Sequence, residues 1–260
     1  MVKYKDNEDR TMQYFDNFNR EKVLKQFVTK DNPVIFDVGS NVGNTLVEFK
    51  EWWPNSEIHC FEPQEECFPE LDRRAAEYSS SNTFINKVAV GAETKKEIYY
   101  SHKLEDLKND LSRTTGISGF NKLSTKSKDS IALNKISSNE EELENYFKTM
   151  NHERLVQVIK LHDYISERDV ENIDLLKIDT QGYELEVLGG MEDCLSNVSI
   201  IISELMLYDL YEKSLSFYDL EKILHKFGFK LYDISHISKN PLNGRTDWVD
   251  VVYVNEKIRK

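Results

Sequence analysis

The stretch Val34-Ile35-Phe36-Asp37-Val38-Gly39 constrains the fold more than any other part of the chain. It follows Pro33, is apolar apart from one acid, and is too short for a helix, so it reads as a strand buried on both faces. The run breaks into Ser40-Asn41-Val42-Gly43-Asn44, after which Leu46, Val47, Phe49 and Trp53 recur as the apolar face of a helix. Thr45 and Glu48 have capping-box spacing at the start of that helix. A doubly buried strand passing through a glycine turn into a helix opens a βαβ unit, which commits the chain to a parallel sheet covered on both sides.

The alternation continues. Ile58 to Pro63 predicts a second strand, Glu65 to Tyr78 a helix, and Thr83 to Val90 a third strand ended by Gly91. Further on, Val156 to Leu161, Ile173 to Asp179 and Ser199 to Glu204 predict strands, with a helix over Tyr183 to Leu195. The helix Ser216 to Phe227 is capped by Ser216 and Asp219 and stopped by Gly228. Phe229 to Ile234 and Trp248 to Val254 follow without a helix between them, which predicts an antiparallel edge pair. The expected architecture is α/β, a doubly wound, mostly parallel sheet with an antiparallel edge strand pair. Residues 1–32 read as a polar helical arm with an apolar stripe, and residues 33–260 as one domain. Residues 103–152 break the rhythm with a Lys-, Ser- and Asn-rich insertion, expected to cover the substrate. Its Lys103, Lys108, Arg113, Lys122, Lys126 and Lys128 favour a phosphorylated or nucleotide-linked acceptor.

Composition narrows the function. At 39% apolar the 260 residues can build a sizeable core, and 34 Lys+Arg against 46 Asp+Glu give a net charge of −12. That balance argues against nucleic acid as partner, since phosphate binding needs a basic face. No apolar run approaches the ~18 residues of a membrane span, and Met1 to Arg20 is too polar for a signal peptide. Cys60, Cys67 and Cys194 are odd in number and lack metal-type spacing, so a cytoplasmic protein without a metal site is expected.

Two features point to a ligand. The glycine turn at 39–43 follows a strand and opens a helix, the place where α/β sheets bind ligands; its spacing is not G-x-G-x-x-G, which disfavours a nicotinamide oxidoreductase. Glu62, 25 residues after Asp37, ends the second strand, where a carboxylate can accept both hydroxyls of a ribose. Either feature alone is also what a plain turn or a solvated strand end would show; together they favour a nucleoside-containing cofactor.

These segments, with Asn86-Lys87-Val88-Ala89-Val90-Gly91, Leu176-Lys177-Ile178-Asp179-Thr180-Gln181-Gly182-Tyr183-Glu184 and Glu186-Val187-Leu188-Gly189-Gly190, resemble the FkbM family of S-adenosylmethionine-dependent methyltransferases. The resemblance runs from about residue 33 to 254 and departs at Gln181, where members usually carry an acid. It implies a class I methyltransferase (Rossmann-like) fold with S-adenosyl-L-methionine over the ends of the first three strands. Asp37, Gly39, Asn41 and Gly43, with Ser40 in the same turn, would line the methionine end and ribose. Glu62 would hold the ribose hydroxyls, and Pro63 and Gln64 would edge the adenine. Members are mostly O-methyltransferases, often acting on sugar hydroxyls in bacterial glycans such as capsule or lipopolysaccharide and in natural products.

A hydroxyl must lose its proton as it attacks, and a positioned base is worth typically ~10²–10⁴-fold. Asp179 and Glu204, at two strand ends, are the candidate catalytic carboxylates; His236 is a further base candidate that a plain loop position explains as well. The expected acceptor is a small molecule or glycan, free or nucleotide-linked. A non-sugar natural product, an RNA substrate and a non-catalytic binding protein are the competing readings.

Overall fold

The structure, a computed structural model, describes residues 5–78, 82–101, 115–125, 140–213, 215–241 and 243–258. Its frame is a seven-stranded sheet of order β3-β2-β1-β7-β8-β10-β9. The strands are β1 (Val34–Val38), β2 (Glu57–Phe61), β3 (Thr83–Asn86), β7 (Ile173–Ile178), β8 (Val198–Met206), β9 (Phe229–Lys239) and β10 (Thr246–Asn255). The first five run parallel to one another, while β10 is antiparallel to both β8 and β9. The expected doubly wound, mostly parallel sheet with an antiparallel edge pair is therefore what forms. Every residue of β7 is buried, because helices cover both of its faces.

After α1 (Asn7–Asn17), which buries none of its residues, α2 (Arg20–Lys25), α3 (Asn44–Trp52) and α4 (Phe68–Glu77) lie on one face; α5 (Glu140–Met150) is followed by α6 (Leu161–Glu167), α7 (Glu184–Gly189) and α8 (Phe217–Lys226) on the other. Leu24, Leu46, Phe49 and Leu71 fill the first interface, with Ile35, Ile58 and Ile200 from the strands. Phe36, Leu176 and Ile201 face the second, against Leu161, Val187 and Leu220. Alternate residues of one strand thus enter two cores, the geometric reason these strands read as unbroken apolar runs.

Three local expectations need correction. The span 83–90 is two strands: β3 stays in the main sheet, and β4 (Ala89–Val90) leaves it to pair with β6 (His152–Ile159). With β5 (Lys95–Ser101), unread in the sequence, they form a second sheet of order β4-β6-β5. The Thr45/Glu48 capping box does not form, because α3 starts two residues earlier with Gly43 as its N-cap in the left-handed region (φ +84°). The helix over 183–195 stops at Gly189 and resumes as a 3₁₀ turn over Glu192–Asn197. Ser216 does cap α8, its hydroxyl accepting from the Tyr218 amide at 3.2 Å. Among the described residues, no helix is long and apolar enough to cross a membrane.

Candidate active site at the carboxyl ends of β1, β2, β7 and β8

The glycine turn is held from both sides. Gly39 and Ser40 amides donate to the Phe61 carbonyl at 3.0 and 3.1 Å, and the Asp179 amide donates to the Val38 carbonyl at 2.9 Å. Gly39 has φ +86°, and a Cβ built there would sit 1.9 Å from the Asp179 carbonyl oxygen. Only glycine lets the end of β1 approach the end of β7 this closely. Gly43 packs instead against Leu71 of α4, where an added Cβ would lie 2.9 Å from Cδ1.

Beside this turn is an inner cleft of about 530 Å³, whose walls include Gly39, Asn41, Glu62, Pro63, Gln64 and Asp179. Six of the residues singled out in the sequence thus meet here. Asp37, Ser40 and Gly43 are buried behind the cleft and are not among its lining residues. Ser40 Oγ donates to the Asp37 carbonyl at 2.7 Å, and the Asp37 carboxylate pairs with Lys177 Nζ at 3.6 Å. Burial raises the Asp37 carboxyl above its ordinary range, opposed by that ammonium.

Glu62 is 2% exposed. Its Oε2 accepts from the Asn41 amide at 2.7 Å and its Oε1 from the Gln64 amide at 2.8 Å. Burial lifts its carboxyl to about 7, although the two amides pull the other way. Across the cleft stand Tyr99 and, from the segment expected to cover the substrate, Thr115, Gly116, Ser118 and Phe120. Thr115 ties them down: its Oγ1 donates to Asn41 Oδ1 at 2.9 Å and its carbonyl accepts from Gln64 Nε2 at 3.2 Å. Of the six basic residues singled out in the segment, Lys122 is paired with Glu153 at 3.2 Å, and the other five lie outside the described residues.

Asp179 joins the inner cleft to a second one of about 850 Å³, walled by Arg20, Lys177, Glu204, His236, Trp248 and Asp250 among others. Lys177 Nζ donates to Asp179 Oδ2 at 3.1 Å. Burial alone would lower the Lys177 pKa, but Asp179 and Asp37 outweigh it and raise the value, so the ammonium stays charged. Gln181 Nε2 donates to Asp179 Oδ1 and Glu204 Oε1, both at 2.9 Å, clamping the two carboxylates together. The clamp is built by the turn: Glu184 Oε1 accepts from the Thr180 and Gly182 amides at 3.0 and 3.2 Å. That fixes Gln181 in the left-handed region at φ +56°. Burial, then the charges of Asp179 and Asp250, hold the Glu204 carboxyl well above its ordinary range. His236 is 71% exposed, its Nδ1 3.2 Å from Asp250 Oδ2.

Sequence reasoning missed Lys177, Gln181's role as clamp, Asp250 and Arg20. Lys177 carried a signal, a lone cation inside the apolar run Leu175-Leu176-Lys177-Ile178, where a charge is buried only if paired. Arg20 and Asp250, 230 residues apart and bonded at 2.9 Å, carried none.

The profile of the Methyltransferase FkbM domain matches residues 37–231. The chain belongs to the FkbM methyltransferase family. It is 26% identical over 220 residues to the 2-O-methyltransferase NoeI of Sinorhizobium fredii, covering 79% of this chain and 78% of that one. It is 28% identical over 170 residues to the 31-O-demethyl-FK506 methyltransferase FkbM of Streptomyces tacrolimicus, covering 62% of this chain and 60% of that protein. Among solved structures it is similar to M. capricolum TrmK in complex with S-adenosyl-homocysteine, with a TM-score of 0.45 and 9% identity over 92% of this chain and 68% of that one. The protein is therefore a methyltransferase, and membership implies a cofactor of the S-adenosylmethionine type.

The inner cleft fits such a group. Among the described residues, Gln64 Oε1 and Ser118 Oγ are buried without a hydrogen-bond partner, and both residues line it. Orphaned buried polar atoms are costly unless a ligand satisfies them. Together with the Glu62 carboxylate and the exposed backbone of the Gly39 turn, they match a nucleoside rich in donors and acceptors.

Proposed function

We propose that this protein is an S-adenosylmethionine-dependent O-methyltransferase acting on a hydroxyl of a sugar, either as a small molecule or within a glycan. Glu62, Pro63, Gln64 and the Gly39–Asn41 turn would hold the cofactor, with Ser118 and Thr115 closing over it. When bound, the cofactor supplies an activated methyl on a sulfonium, so the protein's work is alignment and exclusion of water. One observation carries the reading: Asp179 lines both clefts. A carboxylate at that junction meets an acceptor hydroxyl arriving from the second cleft where the methyl group would lie in the first.

Asp179 then takes the hydroxyl proton as the oxygen attacks. Lys177 and Gln181 each hold one of its oxygens, which fixes its aim before the acceptor arrives. Glu204, whose carboxyl is held above its ordinary range by burial and then by Asp179 and Asp250, shares the Gln181 amide. The names of both relatives specify oxygen methylation, which supports a hydroxyl acceptor. A net charge of −12 supports a small molecule or glycan over a nucleic acid. Three free thiols, Cys60, Cys67 and Cys194, fit a reducing compartment, and we extend the reading to the cytoplasm.

The test is transfer of labelled methyl from S-adenosylmethionine to a panel of glycosides, followed by mass. Asp179→Asn should lower kcat by about 10²-fold or more while S-adenosylhomocysteine affinity stays within about threefold. A kcat within about threefold of the parent ends the base role.

A further inference from the structure

Within the second cleft every described cation is already committed. Lys177 lies between Asp179 and Asp37. Arg20, from α2 of the arm, holds Asp250 at 2.9 Å and reaches Glu48 at 3.7 Å. The acids outnumber these two cations, since Glu48, Asp179, Glu204 and Asp250 all line the space. Glu204 Oε2 and Asp250 Oδ1 carry no hydrogen bond among the described residues, whereas the opposite oxygens are held by Gln181 and Arg20. Trp248 offers a half-buried indole on the same wall.

This is a surface with spare acceptors, its Lys177 and Arg20 both engaged and its exposed His236 already set against Asp250. A ligand matches it by bringing hydroxyl donors; a phosphate brings only acceptors and like charge, and a buried unpaired charge is expensive. An aromatic wall with a few convergent polar groups is also the usual build of a small-molecule site. We propose that the arm-side cleft is the acceptor subsite and that it selects an uncharged, polyhydroxylated ring, rejecting phosphate-bearing and hence nucleotide-linked sugars. Glu204 Oε2 and Asp250 Oδ1 receive hydroxyls neighbouring the one that Asp179 deprotonates. Arg20 is a positioning residue, setting Asp250 from the other end of the chain. The inference rests on the O-methyl transfer proposed above and reverses the expectation drawn from the basic insertion.

The experiment uses the full chain, S-adenosylmethionine, and acceptors in pairs: methyl glycosides of neutral hexoses and 6-deoxyhexoses against the nucleoside-diphosphate forms of the same sugars. Neutral acceptors should exceed their phosphate-bearing partners in kcat/KM by about tenfold or more. Asp250→Asn and Arg20→Met should each raise the neutral acceptor's KM by about fivefold or more, with kcat changed less and S-adenosylhomocysteine affinity unchanged. Arg20→Lys should restore part of the loss, which a purely structural role would not require. Should Asp250→Asn lose its fold, Trp248→Leu reads the same KM. Preference for the phosphate-bearing sugars, or an unchanged KM in these variants, overturns the acceptor assignment and leaves the O-methyltransferase reading standing. Methyl transfer to neither member of any pair, by protein that binds S-adenosylhomocysteine, overturns the sugar reading and this inference with it.

Discussion

Cofactor affinity should depend on pH through Glu62. Its carboxyl sits near 7 in the free protein because burial outweighs the Asn41 and Gln64 amides. A ribose diol donates two hydrogen bonds, so it needs the carboxylate; a protonated Glu62 presents a competing O–H. Each pH unit below the pKa then removes about 1.4 kcal/mol of apparent binding energy. Between pH 8 and pH 6 the apparent Kd for S-adenosylhomocysteine should rise about tenfold. Calorimetry in two buffers of different ionisation enthalpy would also show proton release on binding near pH 6.5. Glu184 is raised to about 7 as well, by its own burial, so the slope must be assigned by mutation. Glu62→Gln should bind weakly and with no slope. A parent Kd constant within about twofold over this range, or a slope that survives in Glu62→Gln, refutes the reasoning. The sign for stability is opposite. With folded values above the ordinary carboxylate range, both glutamates stabilise fully below about 4.5, and the contribution is lost as pH rises toward 7. The Tm of the free protein should drift down over that window, and bound cofactor should offset the part due to Glu62.

Three other outcomes are expected. Gln181→Glu removes the donor that clamps Asp179 and Glu204 and adds a third acid, so urea unfolding near pH 7 should show a loss of about 2–4 kcal/mol, partly recovered in acid. Gly39→Ala should cost about 2–4 kcal/mol and abolish S-adenosylhomocysteine binding by forcing β1 from β7; Gly244→Ala, at φ +73° with nothing within 4 Å, should cost about 1 kcal/mol and leave binding intact. Gln64→Met and Ser118→Ala each remove an orphaned polar atom from the inner cleft, and thermal shift should report about fivefold weaker S-adenosylhomocysteine binding in either.

What could be read from sequence follows from where each signal lives. β1, β7 and β8 announce themselves because both faces of each are buried, so their apolar runs are local facts. The break between β3 and β4 is invisible locally: the partner that draws Ala89 and Val90 out of the main sheet is Val158 and Ile159, some 70 residues on. β5 escaped because Lys95 and Lys96 are exposed at the rim of the small sheet and Glu97 is charged, although it is half-buried against the Tyr183 hydroxyl. In the site, Gly39 and Glu62 were legible because strand ends and turns dictate their residue types. The clamp was not, since it needs the folded turn that Glu184 ties before Gln181 can reach two acids. The expectation drawn from the basic insertion rests on residues that, Lys122 apart, lie outside the described ones; Lys122 is paired with Glu153, and Thr115, Gly116, Ser118 and Phe120 line the inner cleft.

The position of β10 governs when this enzyme can exist at all. It lies between β8 and β9 although it follows both in the chain, so the sheet is completed by its last-made strand. Until residues 246–255 leave the ribosome, β8 and β9 each present an unpaired edge, the kind of surface that recruits other chains. The same strand delivers Asp250 to Arg20, closing a contact between residues 230 apart in the wall of the second cleft. Truncation before residue 246 should thus yield not a weakened catalyst but an aggregating nascent chain. Synthesis that stalls there would be a quality-control problem before it was a catalytic one.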